Sequence, residues 1–146
     1  MINTHGNKKV IVDADALIGL IHETDALHAR CLKVSRHLAT ANYATIILLP
    51  TVLEAATTLA KDKTIRRPDL AKRLLEDYAS VAYEDAEKEN VIKILAYLYN
   101  TKTSPKNTPF DYYVLSYAKQ NKIKYVFSFD RFYKNRGLTL AEELVK

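Results

Sequence analysis

The chain has 146 residues, which suits one compact α/β domain and leaves little room for two. Apolar residues make up 48% and charged residues 27%, so a real core can form and the composition is not that of a disordered chain. A formal net charge of +5 favours polyanionic partners, and a single cysteine excludes an internal disulfide framework or a cysteine-built zinc site.

The N-terminus, Met1 to Lys9, is polar and lacks the apolar stretch of a signal peptide. Val10-Ile-Val12 is a short buried-strand signal that ends at an acid, Asp13, and Ala14 to Ile21 then turns helical. Asp25 is placed to cap a second helix, in which Leu27, Cys31, Val34 and Leu38 recur at helical spacing. That spacing assigns Cys31 to the core rather than to a nucleophile. Thr45 to Leu49 is the clearest strand, β-branched and apolar, stopped by Pro50. A helix follows from about Thr51 to Lys61.

Pro68 suits a first helical position, and Leu70, Leu74, Leu75 and Tyr78 continue that helix. Val81 to Tyr83 reads as a short strand and Asp85 to Tyr99 as a helix with Val91, Leu95 and Leu98 on one face. A polar loop, Asn100 to Pro109, leads to a helix capped by Thr108, with Pro109 first and Val114 and Ala118 inside it. Lys124 to Ser128 is the last clear strand, and Leu138 to Val145 fits either strand or helix. Alternating strands and helices predict a three-layer α/β/α sandwich around a parallel sheet. The expected organisation is one domain over 1–146, with 1–8 as a flexible extension. The longest plain apolar run, Ala44 to Pro50, is too short to span a bilayer, so a cytoplasmic protein with no membrane partner is expected.

In such sheets, ligands gather beyond the carboxyl ends of the strands. Asp13 and Asp15 follow the first strand, Glu54 follows the second, Asp111 opens a helix, and Asp130 follows the last clear strand. Clustered carboxylates repel unless a cation neutralises them, and Mg²⁺ or Mn²⁺ takes oxygen ligands. Each acid also has an ordinary reading. Thr51-Val-Leu-Glu54 and Thr108-Pro-Phe-Asp111 both match or approach a helix capping box, Asp130 can cap a helix starting at Arg131, and Asp13 can be a loop acid.

Four segments together resemble the PIN-domain family, and within it the VapC-type toxins of toxin–antitoxin pairs. They are Val10-Ile-Val-Asp-Ala-Asp-Ala-Leu-Ile18, Leu49-Pro-Thr-Val-Leu-Glu54, Thr108-Pro-Phe-Asp111 and Val126-Phe-Ser-Phe-Asp130, and their order and separation carry more than any one alone. The resemblance implies a metal-dependent endoribonuclease in which Asp13, Glu54, Asp111 and Asp130 hold Mg²⁺ or Mn²⁺, directly or through water. It also implies an RNA substrate, a cognate antitoxin and a homodimer. Ser128 would orient an acid or a water. The family often has Thr or Ser after the first acid, where this chain has Ala14, and Asn or Ser at the next position, where it has Asp15. A helix-cap role is the favoured reading of Asp15, with metal ligation behind it.

Two other readings stay open. One is a binding module on the same fold, without activity. The other is a phosphatase of the haloacid dehalogenase class, which Asp13-Ala-Asp15 after a strand resembles, although Leu17 and Ser128-Phe-Asp130 fit its further motifs poorly. His5, His22, His28 and His37 form no helical zinc pair, and the three glycines form no phosphate loop. Lys102 and Lys106 before Asp111, and Arg131, Lys134 and Arg136 after Asp130, are the candidate RNA-phosphate contacts, whereas Arg66, Arg67, Lys72 and Arg73 read as a solvated helix end. Tyr112, Tyr113, Tyr117, Tyr125 and Tyr133 crowd the acids and can stack on bases, but packing is the expected role.

Overall fold

The computed structural model describes residues 8–82, 88–102 and 106–146. The strands are β1 (Lys9–Val12), β2 (Ala44–Ile46), β3 (Tyr125–Phe127) and β4 (Thr139–Leu140). The helices are α1 (Ala14–Ile21), α2 (His28–Thr40), α3 (Leu49–Lys61), α4 (Pro68–Tyr78), α5 (Lys88–Leu98), α6 (Pro109–Gln120) and α7 (Arg131–Lys134), and a 3₁₀ turn follows at Ala141–Leu144. The strands form one four-stranded sheet in the order β2-β1-β3-β4, and every pairing is parallel. Helices cover both faces, giving the three-layer α/β/α sandwich that the sequence predicts.

β1 shows why its sequence has no polar alternation. Val10 and Val12 join a cluster with α1, α2, α3 and α4 residues on one face. Ile11 joins Leu48, Leu115, Val126, Phe132 and Leu140 on the other. A central parallel strand is buried on both sides, so each residue must be apolar whichever way it points. Leu95 and Leu98 of α5 pack onto the second cluster, and Val91 is fully buried. Cys31 is buried in the first cluster, as its spacing predicts, and burial pushes its thiol up to about 12, which removes any nucleophilic role near neutral pH.

Several element boundaries differ from expectation. β2 ends at Ile46, and Pro50 lies in the first turn of α3 instead of stopping the strand. A first-turn proline loses no hydrogen bond there because its N–H has no helical partner in any case. Asp25 does not cap α2. Its Oδ1 accepts from Leu27 N at 2.8 Å in the turn before the helix, and Leu27 is the cap residue. Val81 and Ala82 are in no strand, and Tyr83 lies outside the described residues, as do 85–87 of the expected helix. The C-terminal segment uses both conformations open to it, a two-residue strand and then the 3₁₀ turn. Lys8, expected in a flexible extension, is tied to the sheet edge through its carbonyl, which accepts from Ala44 N at 2.8 Å.

Two contacts lock the layers near the site. Arg30 of α2 makes a paired contact with Glu142, Nε to Oε1 at 2.8 Å and Nη2 to Oε2 at 2.6 Å, and its guanidinium lies 4.6 Å from the centroid of the Phe129 ring. The α1–α2 crossing is closer still, because a Cβ built on Gly19 would sit 2.4 Å from Cys31 Sγ.

Candidate active site

β1 and β3 end level with one another. Val12 pairs with Phe127, and Asp13 N donates to Phe127 O at 3.0 Å, which extends the ladder by one bond. The chain leaves β1 for β2 on one side and later returns to β3 on the other. The gap between β1 and β3 is therefore the switch point of the sheet, where a crevice opens at the carboxyl ends. A small cavity of about 200 Å³ lies there, lined by Asp13, Ala14, Asp15, Glu54, Lys106, Thr108, Asp111 and Asp130.

Each acid reaches the pocket by a separate route. Asp13 is the cap residue of α1, but its side chain makes no cap hydrogen bond, so the carboxylate is left to the pocket at 5% exposure. Glu54 projects from α3, which packs against α1 and α6. It is not the end of a capping box, because α3 begins at Leu49 with Leu48 as its cap and so contains Thr51. Asp111 does take part in one, its Oδ2 accepting from Thr108 N at 2.9 Å at the start of α6. Asp130 caps α7 through Oδ1, which accepts from Phe132 N at 2.8 Å.

Asp15 is not the cap residue of α1, although it accepts from a first-turn N–H, and it also makes a longer-range tie. Its Oδ2 accepts from Ser128 Oγ at 3.0 Å and from Phe129 N at 2.8 Å, while Oδ1 accepts from Ala16 N at 2.8 Å. Ser128 Oγ in turn accepts from Asp130 N at 3.1 Å. Asp15 thus fastens α1 to the loop that delivers Asp130. The hydroxyl in this tie comes from Ser128, in the loop just after β3.

The crowding is visible in the acidities. Burial, then Asp15 and Glu54, push Asp13 well up. Burial, then Asp111 and Asp15, raise Glu54 to about 7. Burial also raises Asp15 and Asp111, with Asp130 contributing to both. Oε2 of Glu54 is buried with no hydrogen-bond partner. Oxygen-only donors, mutual repulsion and an unsatisfied carboxylate oxygen are what a hard divalent cation relieves, so the residues fit Mg²⁺ or Mn²⁺. Among the described residues no three such side chains are drawn closely enough to enclose an ion alone. A cation that keeps several of its waters needs no such closed cage.

Of the five expected phosphate contacts, Lys106 lines the pocket. Lys102 is exposed in the turn after α5 and Arg131 is exposed on α7. Lys134 pairs with Glu143, and Arg136 lies 3.9 Å over the Phe132 ring while donating from Nη1 to Phe132 O at 3.2 Å. Those last two hold the C-terminal segment and the α7 core instead of facing the pocket. Tyr112 and Tyr133 are fully buried and Tyr113, Tyr117 and Tyr125 partly so, in keeping with packing. A larger cavity of about 810 Å³ lies elsewhere, among Val12, Leu38, Tyr43, Ile47, Tyr78 and Phe127. None of the described residues that line it is an acid, an amide or a cation, and it adjoins Ala82, beyond which residues 83–87 are not described.

A family model described as PIN domain matches residues 10–137, and the chain belongs to that family. Among solved structures, the fold is similar to that of VapC20 from Mycobacterium tuberculosis, described as a sarcin–ricin loop cleaving toxin. The TM-score is 0.69 at 14% identity, over 89% of this chain and 96% of that one. No curated protein matches the sequence.

Proposed function

We propose that this protein is a divalent-metal-dependent endoribonuclease and, within the PIN family, a toxin of the VapC type. The observation that carries the reading is the convergence of Asp13, Glu54, Asp111 and Asp130 on one pocket at the sheet's switch point. Bound Mg²⁺ or Mn²⁺ would supply positive charge on a phosphodiester and an activated water for its hydrolysis. Asp13, Glu54, Asp111 and Asp130 would hold the ion, some of them through water. Asp15 and Ser128 would keep the Asp130 loop in register with α1. Lys106 would meet an RNA phosphate at the rim, with the exposed Lys102 and Arg131 further out and Lys134 and Arg136 in a structural role.

An antitoxin would block this site most economically by setting an arginine against the acids, since a guanidinium pairs with carboxylates through two parallel hydrogen bonds. We further propose a single domain, cytoplasmic location and homodimeric assembly. No helix among the described residues is long and apolar enough to cross a membrane.

The test is cleavage of a panel of tRNA, ribosomal RNA fragments and single-stranded RNA, with Mg²⁺, with Mn²⁺ and with EDTA. The expected result is cutting of at least one RNA that needs metal and is lost in Asp13→Asn. Undiminished cutting by Asp13→Asn would overturn the assignment of the site.

A further inference from the structure

We infer that Arg30 is a positioning residue of this site: held by Glu142, its guanidinium fixes the Phe129 ring and through it the loop that carries Asp130. The inference rests on the metal-binding reading above and adds to it a residue that does not itself line the pocket.

Residues 128–130 join β3 to α7 without regular secondary structure, and Asp130 at their end lines the acidic pocket. So short a connection has few bonds with which to hold a carboxylate still. Its backbone is tied by Phe129 N, which donates to Asp15 Oδ2 at 2.8 Å, and by Asp130 N, which donates to Ser128 Oγ at 3.1 Å. The Phe129 ring is held separately. It meets the Phe127 ring edge-on, with centroids 6.2 Å apart, and the Arg30 guanidinium carbon lies 4.6 Å from its centroid. Phe129 is only partly buried, so the core does not enclose its ring and the arginine covers part of what the core leaves open.

An arginine on an exposed helix position is ordinarily free to change rotamer. Arg30 is not, because Glu142 engages it twice, Nε to Oε1 at 2.8 Å and Nη2 to Oε2 at 2.6 Å. Two parallel bonds fix the plane of a guanidinium as well as its place, which the point charge of a lysine cannot do. Both side chains remain part-exposed, at 52% and 38%, so the ion pair adds little to the stability of the whole fold. Its effect is local, on where the ring sits. Glu142 belongs to the 3₁₀ turn that packs on α2 and β3, so a line of contacts runs from the C-terminal turn through Arg30 and Phe129 to Asp130. A cation–ring contact at a partly exposed site shifts a local equilibrium by a factor of about 2 to 5.

The test is amide hydrogen exchange of the metal-free protein, followed residue by residue, with Mn²⁺ affinity measured by calorimetric titration alongside. Wild type is compared with Arg30→Ala, which removes the guanidinium, and with Glu142→Gln, which leaves Arg30 in place but loosens its grip. In Arg30→Ala the Phe129 and Asp130 amides should exchange about 2- to 5-fold faster, β1 amides should be unchanged, and Mn²⁺ affinity should weaken by a similar factor. Glu142→Gln should move the same amides in the same direction by less. Equal acceleration of the β1 amides would show that Arg30 supports the fold at large and would overturn the positioning role. Unchanged exchange at Phe129 and Asp130, or unchanged Mn²⁺ affinity in Arg30→Ala, would overturn it as well. Absence of Mn²⁺ binding by the wild type would overturn the metal-binding reading, and the exchange rates would still decide whether Arg30 fixes the loop.

Discussion

The carboxylates that share the pocket at the ends of β1 and β3 bear the cost of their crowding unequally. Asp15 spreads its charge over three donors, and Asp130 and Asp111 each spend an oxygen on a backbone N–H. Glu54 has an unpartnered buried oxygen and is raised from 4.5 to about 7. An acid whose acidity is weakened by folding makes the folded chain hold a proton that the unfolded chain releases, so its stabilising contribution fades as pH rises through that window. The metal-free protein should therefore melt at a higher temperature near about pH 5 than near about pH 7.5, the difference arising between the ordinary 4.5 and the folded value of about 7. Glu54→Gln should flatten that slope, and Mn²⁺ should restore wild-type stability at the upper pH. Calorimetric scans across the range check both, and a wild-type melting temperature that climbs steadily from about pH 5 to 7.5 would contradict the account.

Asp15 shows what its sequence neighbours leave hidden. The partners that define Asp15 lie 113 and 114 positions away, so nothing beside it in the chain distinguishes a cap from a tie. By contrast, Asp13 is legible because it directly follows a run of buried β-branched residues, and Asp130 because it lies three positions beyond β3. Asp111 was legible through the Thr108-Pro109 signal that starts its helix.

At the element scale, the α1–α2 crossing tolerates little. Gly19 leaves no room for a methyl group beside Cys31 Sγ, and its carbonyl accepts from His28 Nδ1 at 2.6 Å. Gly19→Ala gains helix propensity of about 1 kcal/mol but overpacks a closed interface, a cost of about 1–3 kcal/mol. The expected net effect is a lower denaturation midpoint, recovered in part by adding Cys31→Ala. An alanine variant as stable as the wild type would show that the crossing can relax. The boundary errors belong to this scale too. Pro50 reads equally well as the end of a strand and as the first turn of a helix, and Thr51 to Glu54 fits a capping box wherever the helix starts. Packing of Leu48 and Ile47 into the core decides the matter, and a local pattern carries no record of it.

For the whole molecule, the order β2-β1-β3-β4 turns separate acids into one site, because it sets the ends of β1 and β3 side by side. Strand–helix alternation made the parallel sheet readable, but the strand order and the depth of the pocket depend on long-range pairing. The net charge of +5 is spread widely, and several cations are already engaged within the fold, so RNA affinity should depend on few phosphate contacts. Lys106→Gln should weaken RNA binding and lower the slope of log K against log salt by about 0.7, the value for one contact on a single strand. Filter binding across a salt series with catalytically inactive Asp13→Asn as the background measures this, and an unchanged slope would remove Lys106 from the interface. The claim on which the rest depends is that these carboxylates hold a divalent cation. Anomalous diffraction from crystals soaked in Mn²⁺ tests it most directly. A peak among Asp13, Glu54, Asp111 and Asp130 is expected, and a pocket without one, or Mn²⁺ bound only elsewhere, would show that these carboxylates do not hold the ion.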